Sequence, residues 1–311
     1  MLQVRFARMR LLPLLVLLAC TSTAPQNTTT GDPFVFVLGI AQDGGYPQAG
    51  CRRADCIAAF ESGQGELVAS LGIVDPQTGQ RWIIDATPDF PRQLHLLERV
   101  AGPPRGNVLD GILLTHAHIG HYLGLAHLGR EVLGAKRVPV YALPRMRAFL
   151  ETNGPWSQLV TLNNIALSTL VPGERIALSD RIAITPLLVP HRDEFSETAG
   201  FIVHGPRRSV LWLPDIDKWE KWDRRVEDVV ASVDVAYLDA TFYSPTELPG
   251  RDLSEIPHPT VEETMNRFAT STDRQKIRFV HLNQSNPLLR DDRAARERGF
   301  RVAREADREA L

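Results

Sequence analysis

From Phe34 onward, short apolar runs alternate with amphipathic stretches, and Gly, Pro or Asp separates most of them. Phe34–Ile40, Leu67–Val74, Arg81–Asp85 and Ile112–Thr115 are rich in β-branched residues and predict strands. Pro91–Val100 and Tyr122–Leu133 carry apolar positions at helical spacing, with Leu125, Leu128 and Val132 three and four apart in the second. Val138–Ala142 predicts a further strand, and Pro144–Glu151 a helix with proline at its first position. Strands are then expected over Arg181–Val189, Gly200–His204 and Ser209–Leu213, followed by a helix around Trp219–Ala231. Val233–Asp239 and Lys276–His281 predict strands on either side of a helix over Thr260–Ser271. The Arg/Glu-rich end, Arg290–Arg308, predicts a solvated helix. Several strands follow one another with no helix between them. The pattern over residues 33–311 therefore predicts one α/β domain with mixed sheets, not a simple βαβ series.

The first residues follow another rule. Arg5, Arg8 and Arg10 precede an apolar run, Leu11–Ala19, broken only by Pro13. That run is too short to span a bilayer and fits the core of a signal peptide. Leu17-Leu18-Ala19-Cys20 resembles a bacterial lipobox, which makes residues 1–20 a lipoprotein signal peptide with Cys20 as the lipidated residue. The small polar residues 21–32 read as a flexible tether. Thr21 after the cysteine favours the outer membrane, so the expected location is the bacterial cell envelope, on the periplasmic face of that membrane.

Composition narrows the picture further. With 311 residues, 43% hydrophobic and 23% charged, the chain is neither collagen-like, coiled-coil nor wholly disordered. Its formal charge of -2 falls to -5 once the three arginines of residues 1–19 are removed. No basic excess points to nucleic acid, and the expected partners are a small-molecule substrate and, through Cys20, a lipid anchor. Three cysteines are too few for a disulfide scaffold. Cys51 and Cys56 flank Arg52-Arg53-Ala54-Asp55, and their spacing fits a disulfide outside the cytoplasm or, more weakly, half of a zinc site.

The histidines carry the chemistry. Three of the nine fall within six residues, at His116, His118 and His121, where an apolar strand gives way to a helix. His116 and His118 can share a side in extended backbone, and His121 follows one turn later. Imidazole nitrogens in such numbers suit zinc, whose catalytic sites use three protein ligands and leave a place for water. His95, His127 and His204 have no partners in the pattern and read as structural.

The HxHxxH segment resembles the metallo-β-lactamase superfamily, and further residues fit that family's order. Asp85, His191, Asp215 and His281 each end an apolar strand, at positions that match the family's acidic and metal-binding residues. The resemblance covers about Phe34 to Leu289 and implies an αββα sandwich: two mixed β-sheets with helices on the outer faces. It also implies that His116, His118 and His191 hold a first metal and His121, Asp215 and His281 a second. Asp215 and Asp85 are the catalytic candidates: Asp215 would bridge the metals or orient the nucleophile, and Asp85 would brace a ligand imidazole. Asp239 either braces a ligand in the same way or only ends its strand. Gly39–Gln48 followed by Cys51, Asp239–Phe242 and His281–Leu289 are similar to the coenzyme PQQ synthesis protein B family, a branch that often has a structural zinc at a cysteine cluster.

The superfamily motif is HxHxDH, and Gly120 stands where it has aspartate. Asp43, in the Gly-rich turn after the first strand, is the candidate to fill in, the alternative being a turn aspartate that caps backbone amides. An aspartate restored at position 120 is expected to tighten the second metal. His258, in the loop Ile256-Pro257-His258-Pro259, is a candidate to meet substrate or else a surface-loop residue, and Asn283 and Asn286 are further candidates to meet substrate. Three functions follow. The first is a hydrolase of esters or phosphodiesters using one or two Zn2+, or Mn2+, and an activated water. The second is a non-heme Fe2+ oxygenase related to PQQ biosynthesis. The third is a non-catalytic envelope lipoprotein that binds a metal or other ligand.

Overall fold

The computed structural model describes residues 31–248, 250 and 257–311. The signal peptide, Cys20 and nearly all of the expected tether lie outside the described residues. β1 (Phe34–Gly39) shows why the domain is layered. Val35 and Val37 join one apolar cluster, between the sheets, while Phe34, Phe36 and Leu38 join a second, under the outer helices. Alternate side chains of a strand point to opposite faces, so a strand apolar on both faces must be covered on both.

The first sheet has the order β14-β1-β2-β3-β4-β5-β6 and the second β13-β12-β11-β10-β9-β8-β7. β2 (Ser70–Asp75), β3 (Gln80–Ile84), β4 (Gly111–Leu113), β5 (Val138–Ala142) and β6 (Ile165–Thr169) continue the first sheet. β7 (Ile176–Ala177), β8 (Ala183–Val189), β9 (Thr198–His204), β10 (Ser209–Leu213), β11 (Val235–Asp239), β12 (Ile277–Val280) and β13 (Arg301–Val302) build the second. Both sheets follow one plan: an antiparallel ribbon (β1-β2-β3; β8-β9-β10) passes into parallel strands (β3-β4-β5-β6; β10-β11-β12-β13). The expected αββα sandwich of two mixed sheets is the observed fold. α2 (Phe90–Ala101), α4 (Pro144–Thr152) and α5 (Trp156–Thr161) send Phe90, Leu97, Met146, Leu150, Trp156 and Leu159 into the outer cluster. α6 (Val226–Ala231) and α7 (Val261–Arg267) place Val226, Val229, Val261 and Met265 against the second sheet. α7 is entered through a reciprocal cap between Thr260 and Glu263, so it starts where the sequence predicts.

Three expected helices are corrected. Arg290–Arg308 contains only α8 (Arg293–Glu297). It then supplies β13 and, with the residues after it, β14 (Arg308–Ala310), which pair with β12 and β1. Most of its charges face solvent, but Phe300, Val302 and Ala303 are buried, and pairing with open sheet edges outweighs helix propensity. Tyr122–Leu133 becomes α3 (Ile119–Tyr122) and a 3-10 turn over Leu123–Leu128. Leu125 and Leu128 are buried as their spacing requires, whereas Val132 is exposed. Trp219–Ala231 splits into a 3-10 turn, Trp219–Lys221, and α6. The buried indoles of Trp219 and Trp222 each donate to a separate partner, Thr264 Oγ1 and Leu188 O. α1 (Ala54–Ser62), α5 and β6 have no counterpart in the sequence prediction.

Among the described residues no helix is long and apolar enough to cross a membrane. Cys51 and Cys56 are joined by a disulfide, which excludes the zinc alternative and ties the loop after β1 to α1. Trp212 on β10 is fully buried between the sheets. Trp212→Ala should therefore cost about 3–5 kcal/mol of unfolding free energy, read from urea denaturation.

Candidate metal centre

Parallel strands of both sheets end along one rim, and the candidate residues follow their last positions. Asp85 follows β3, His116 and His118 follow β4, and His121 lies in α3. His191 follows β8, Asp215 follows β10, Asp239 closes β11 and His281 follows β12. Asp85 (φ 68°) and His281 (φ 65°) adopt the left-handed backbone that glycine normally takes. Each such residue costs roughly 1–3 kcal/mol, and such strain gathers where surrounding structure must aim a side chain.

Two donor sets meet there. His116, His118, His191 and Asp215 form one, and Asp43, His121, Asp215 and His281 form the other, with the donor atoms of each set within 4.8 Å of one another. Asp215 is common to both. Its Oδ2 lies 3.3 Å from His116 Nε2 and His191 Nε2, 3.8 Å from His121 Nε2 and 4.0 Å from His281 Nε2. Burial opposes ionisation of Asp215, yet the surrounding imidazoles, His191 first, hold its carboxyl well below the usual range. The carboxylate is the anion around which the histidines converge.

The outward nitrogens are held by partners that decide the tautomers. Asp85 accepts His121 Nδ1–H at 2.8 Å, and also takes Thr115 N at 2.8 Å and the Thr115 hydroxyl at 2.9 Å. That hydroxyl has spent its only proton, so it accepts His116 Nδ1–H at 3.0 Å. Glu194 accepts His118 Nε2–H at 3.0 Å. In the second sheet Thr241 Oγ1 donates to Asp239 at 2.7 Å and accepts His281 Nδ1–H at 2.9 Å. His116 and His281 therefore turn bare Nε2 atoms inward, and His118 turns in bare Nδ1. Burial opposes the charge of His121, but Asp85 and then Asp43 raise its pKa well above the ordinary value.

This arrangement tests whether the residues fit a metal. His116 Nε2 and His118 Nδ1 lie 2.8 Å apart, although both are acceptors under these tautomers. Burial, reinforced by neighbouring imidazoles, pushes both imidazoles below their ordinary pKa, His116 far below, so neither ring gains a second proton readily. His121 Nε2 and Asp215 Oδ1 are buried and find no well-aligned hydrogen-bond partner, although Asp43 Oδ1 and His258 Nδ1 respectively lie 3.2 Å from them. A set of bare imidazole nitrogens around one carboxylate is the chemistry of a divalent-metal site. The residues fit the group.

His258 belongs to this centre. It is buried, not on a surface loop, and its Nδ1 lies 2.8 Å from Asp239 Oδ2 and 3.2 Å from Asp215 Oδ1. Burial works against its charge, but Asp239 and then Asp215 raise its pKa to about 10. Asp239 thus does more than end its strand: it holds His258 directly and His281 through Thr241. Asp85 braces His121 as the family order implies. It touches no open space, so of the two aspartates expected to be catalytic it acts only by positioning.

Asn286 is corrected. It is fully buried, its amide donates to Ala240 O at 2.7 Å, and its Oδ1 receives Leu288 N at 3.0 Å, so it holds the loop after β12 and cannot reach substrate. The Asn283 amide turns to Ser285, which in turn donates to Glu247. His127 stacks on Phe90 and His204 bonds Thr185, both away from the centre. Sequence reasoning missed Thr115, Thr241 and Glu194. Only the first two carried a signal, Thr115 directly before His116 and Thr241 two residues after the strand-ending Asp239.

A family model described as a beta-lactamase superfamily domain matches residues 80–282. Coenzyme PQQ synthesis protein B of Methylorubrum extorquens (strain PA1) is 26% identical over 303 residues, covering 86% of this chain and 97% of that protein. The crystal structure of Zn(2+)-bound PqqB from Methylobacterium extorquens aligns with a TM-score of 0.73 at 22% identity, over 89% of this chain and 100% of its own. A diphosphatase from the PhnP family aligns with a TM-score of 0.61 at 20% identity, over 90% and 97%. The structural likenesses concern the fold, and the family match spans both sheets and most of the strand ends that carry the histidines. The chain belongs to the metallo-β-lactamase superfamily, with PqqB-like proteins among its homologues.

Proposed function

We propose that this chain is a metal-dependent hydrolase of phosphoesters, with diesters as the preferred class. His116, His118, His191 and Asp215 would hold one metal, and Asp43, His121, Asp215 and His281 a second. A divalent ion bound there supplies hydroxide at neutral pH and polarises a phosphoryl oxygen. The carrying observation is the third cluster, in which His258 sits on Asp239 and Asp215 beside the two donor sets. With Nδ1 committed to these carboxylates, Nε2 is the atom free to hand a proton to a departing oxygen. A leaving alkoxide needs such a proton, whereas a site that only stores metal does not. Asp85 and Thr115 keep the first-sheet imidazoles in place, and Asp239 and Thr241 do so for the second sheet. The likeness in fold to a PhnP-family diphosphatase and to human tRNase Z supports this reading.

Elemental analysis of protein purified without chelator should find close to two zinc or manganese ions per chain. Chelation should abolish hydrolysis of bis(p-nitrophenyl) phosphate, and re-addition should restore it. Iron with oxygen uptake would replace this reading by the oxygenase, and one tight metal without turnover by the binding lipoprotein.

His258→Gln should lower kcat for a diester with an alkyl leaving group by about 10²–10⁴-fold. The loss should be much smaller for p-nitrophenolate, which leaves without a proton. Equal losses on both substrates would remove His258 from the proton-donor role.

We also propose that Cys20 is lipidated and that the domain works in the bacterial envelope, tethered by residues 21–32. The basic residues and short apolar run before Leu17-Leu18-Ala19-Cys20 support this. Wild-type chain should incorporate labelled palmitate and fractionate with membranes, and Cys20→Ser should lose the label. Equal labelling of both would reject lipidation at that residue.

A further inference from the structure

A Cβ built on Gly120 would lie 2.4 Å from Asp43 Oδ1, 2.6 Å from Asp43 Cγ and 2.7 Å from Asp43 Cα. Non-bonded carbon atoms pack at about 3.5–4.0 Å, so no side chain at position 120, alanine included, coexists with Asp43 in its present place. The backbone gives no other reason for glycine, because Gly120 lies within α3 and not in the left-handed region. What makes Gly120 necessary is Asp43.

The Asp43 carboxylate is not spent on its own turn. That turn is closed by Gly45 N to Gln42 O at 2.7 Å, and no backbone N–H donates to Asp43 among the described residues. Its contacts are imidazoles: Oδ1 lies 3.2 Å from His121 Nε2 and 3.3 Å from His281 Nε2. The segment before it is fixed to the second sheet, with Gln42 N donating to Leu282 O at 2.9 Å and Leu282 N to Ile40 O at 2.8 Å. Asp43 and His281 are therefore carried on backbone segments that hydrogen-bond each other, which makes their spacing a property of the fold.

We propose that positions 43 and 120 form a single ligand seat of the second metal, filled in this chain from the loop after β1 and not from α3. The inference rests on the two-metal reading above and adds which residue completes the second site and why Gly120 cannot change alone. It also reverses the expectation that aspartate at position 120 would tighten the second metal. Its Cβ would meet the Asp43 backbone before its carboxylate could reach the site.

The test is zinc titration against a chromophoric chelator, with cobalt(II) spectra as a second readout and thermal melting as a check on folding. Wild type should bind two ions per chain. Asp43→Asn keeps the shape and removes the charge. It should retain one ion and weaken the other by at least about tenfold, the scale on which even outer partners of metal ligands act. Gly120→Ala and Gly120→Asp should each lose the second ion as well, by displacing Asp43. If Asp43→Asn binds both ions at wild-type affinity, the seat is elsewhere and the two-metal reading survives. Unchanged binding by Gly120→Ala would likewise overturn the shared seat. A wild type that binds no ion sinks both ideas together. If the position-120 variants fail to fold, the Asp43→Asn titration still decides.

Discussion

His116 Nε2 and His118 Nδ1 face each other at 2.8 Å, and neither has a proton to give. Much of the rim makes that repulsion tolerable or necessary. Asp85, through Thr115, and Glu194 take the outward protons of the two rings. Burial keeps the rings from charging. Asp215 brings one negative charge to within hydrogen-bonding range of His116 and His191. A divalent ion held at its centre would offset these facing acceptors, and that links the packing of the rim to its chemistry.

The two sheets divide this work. The first supplies His116, His118 and His121 with Asp85 behind them, and the second supplies His191, Asp215 and His281 with Asp239 behind. In each sheet a threonine hydroxyl relays between a buried aspartate and an imidazole: Thr115 with Asp85 and His116, Thr241 with Asp239 and His281. The second sheet goes one step further, since Asp239 also holds His258. The strained backbones at Asp85 and His281 fit the same division, one from each sheet, each turning the chain sharply where a strand gives way to the rim.

Much of this was legible beforehand, and the exceptions have physical causes. Strands apolar on both faces announce themselves by composition, so the central strands fall where the sequence places them. Arg290–Arg308 misled because its local charge pattern suits a helix, while open sheet edges and a few buried residues decided otherwise. His258 looked like a loop residue because nothing near it in sequence carries Asp239 or Asp215. Asn286 looked free because its partner, Ala240 O, lies 46 residues away.

The sequence alone determined the donor types and their order. Histidines and aspartates at strand ends can converge only on a sheet rim, and His116, His118 and His121 are too closely spaced to do otherwise. Tertiary structure alone decided which donors share a site, which nitrogen each imidazole presents, and that Asp43 occupies the space in front of Gly120. Those are distances between segments far apart in the chain, set by sheet packing and register. A pattern of residue types records neighbours along the backbone and does not contain them.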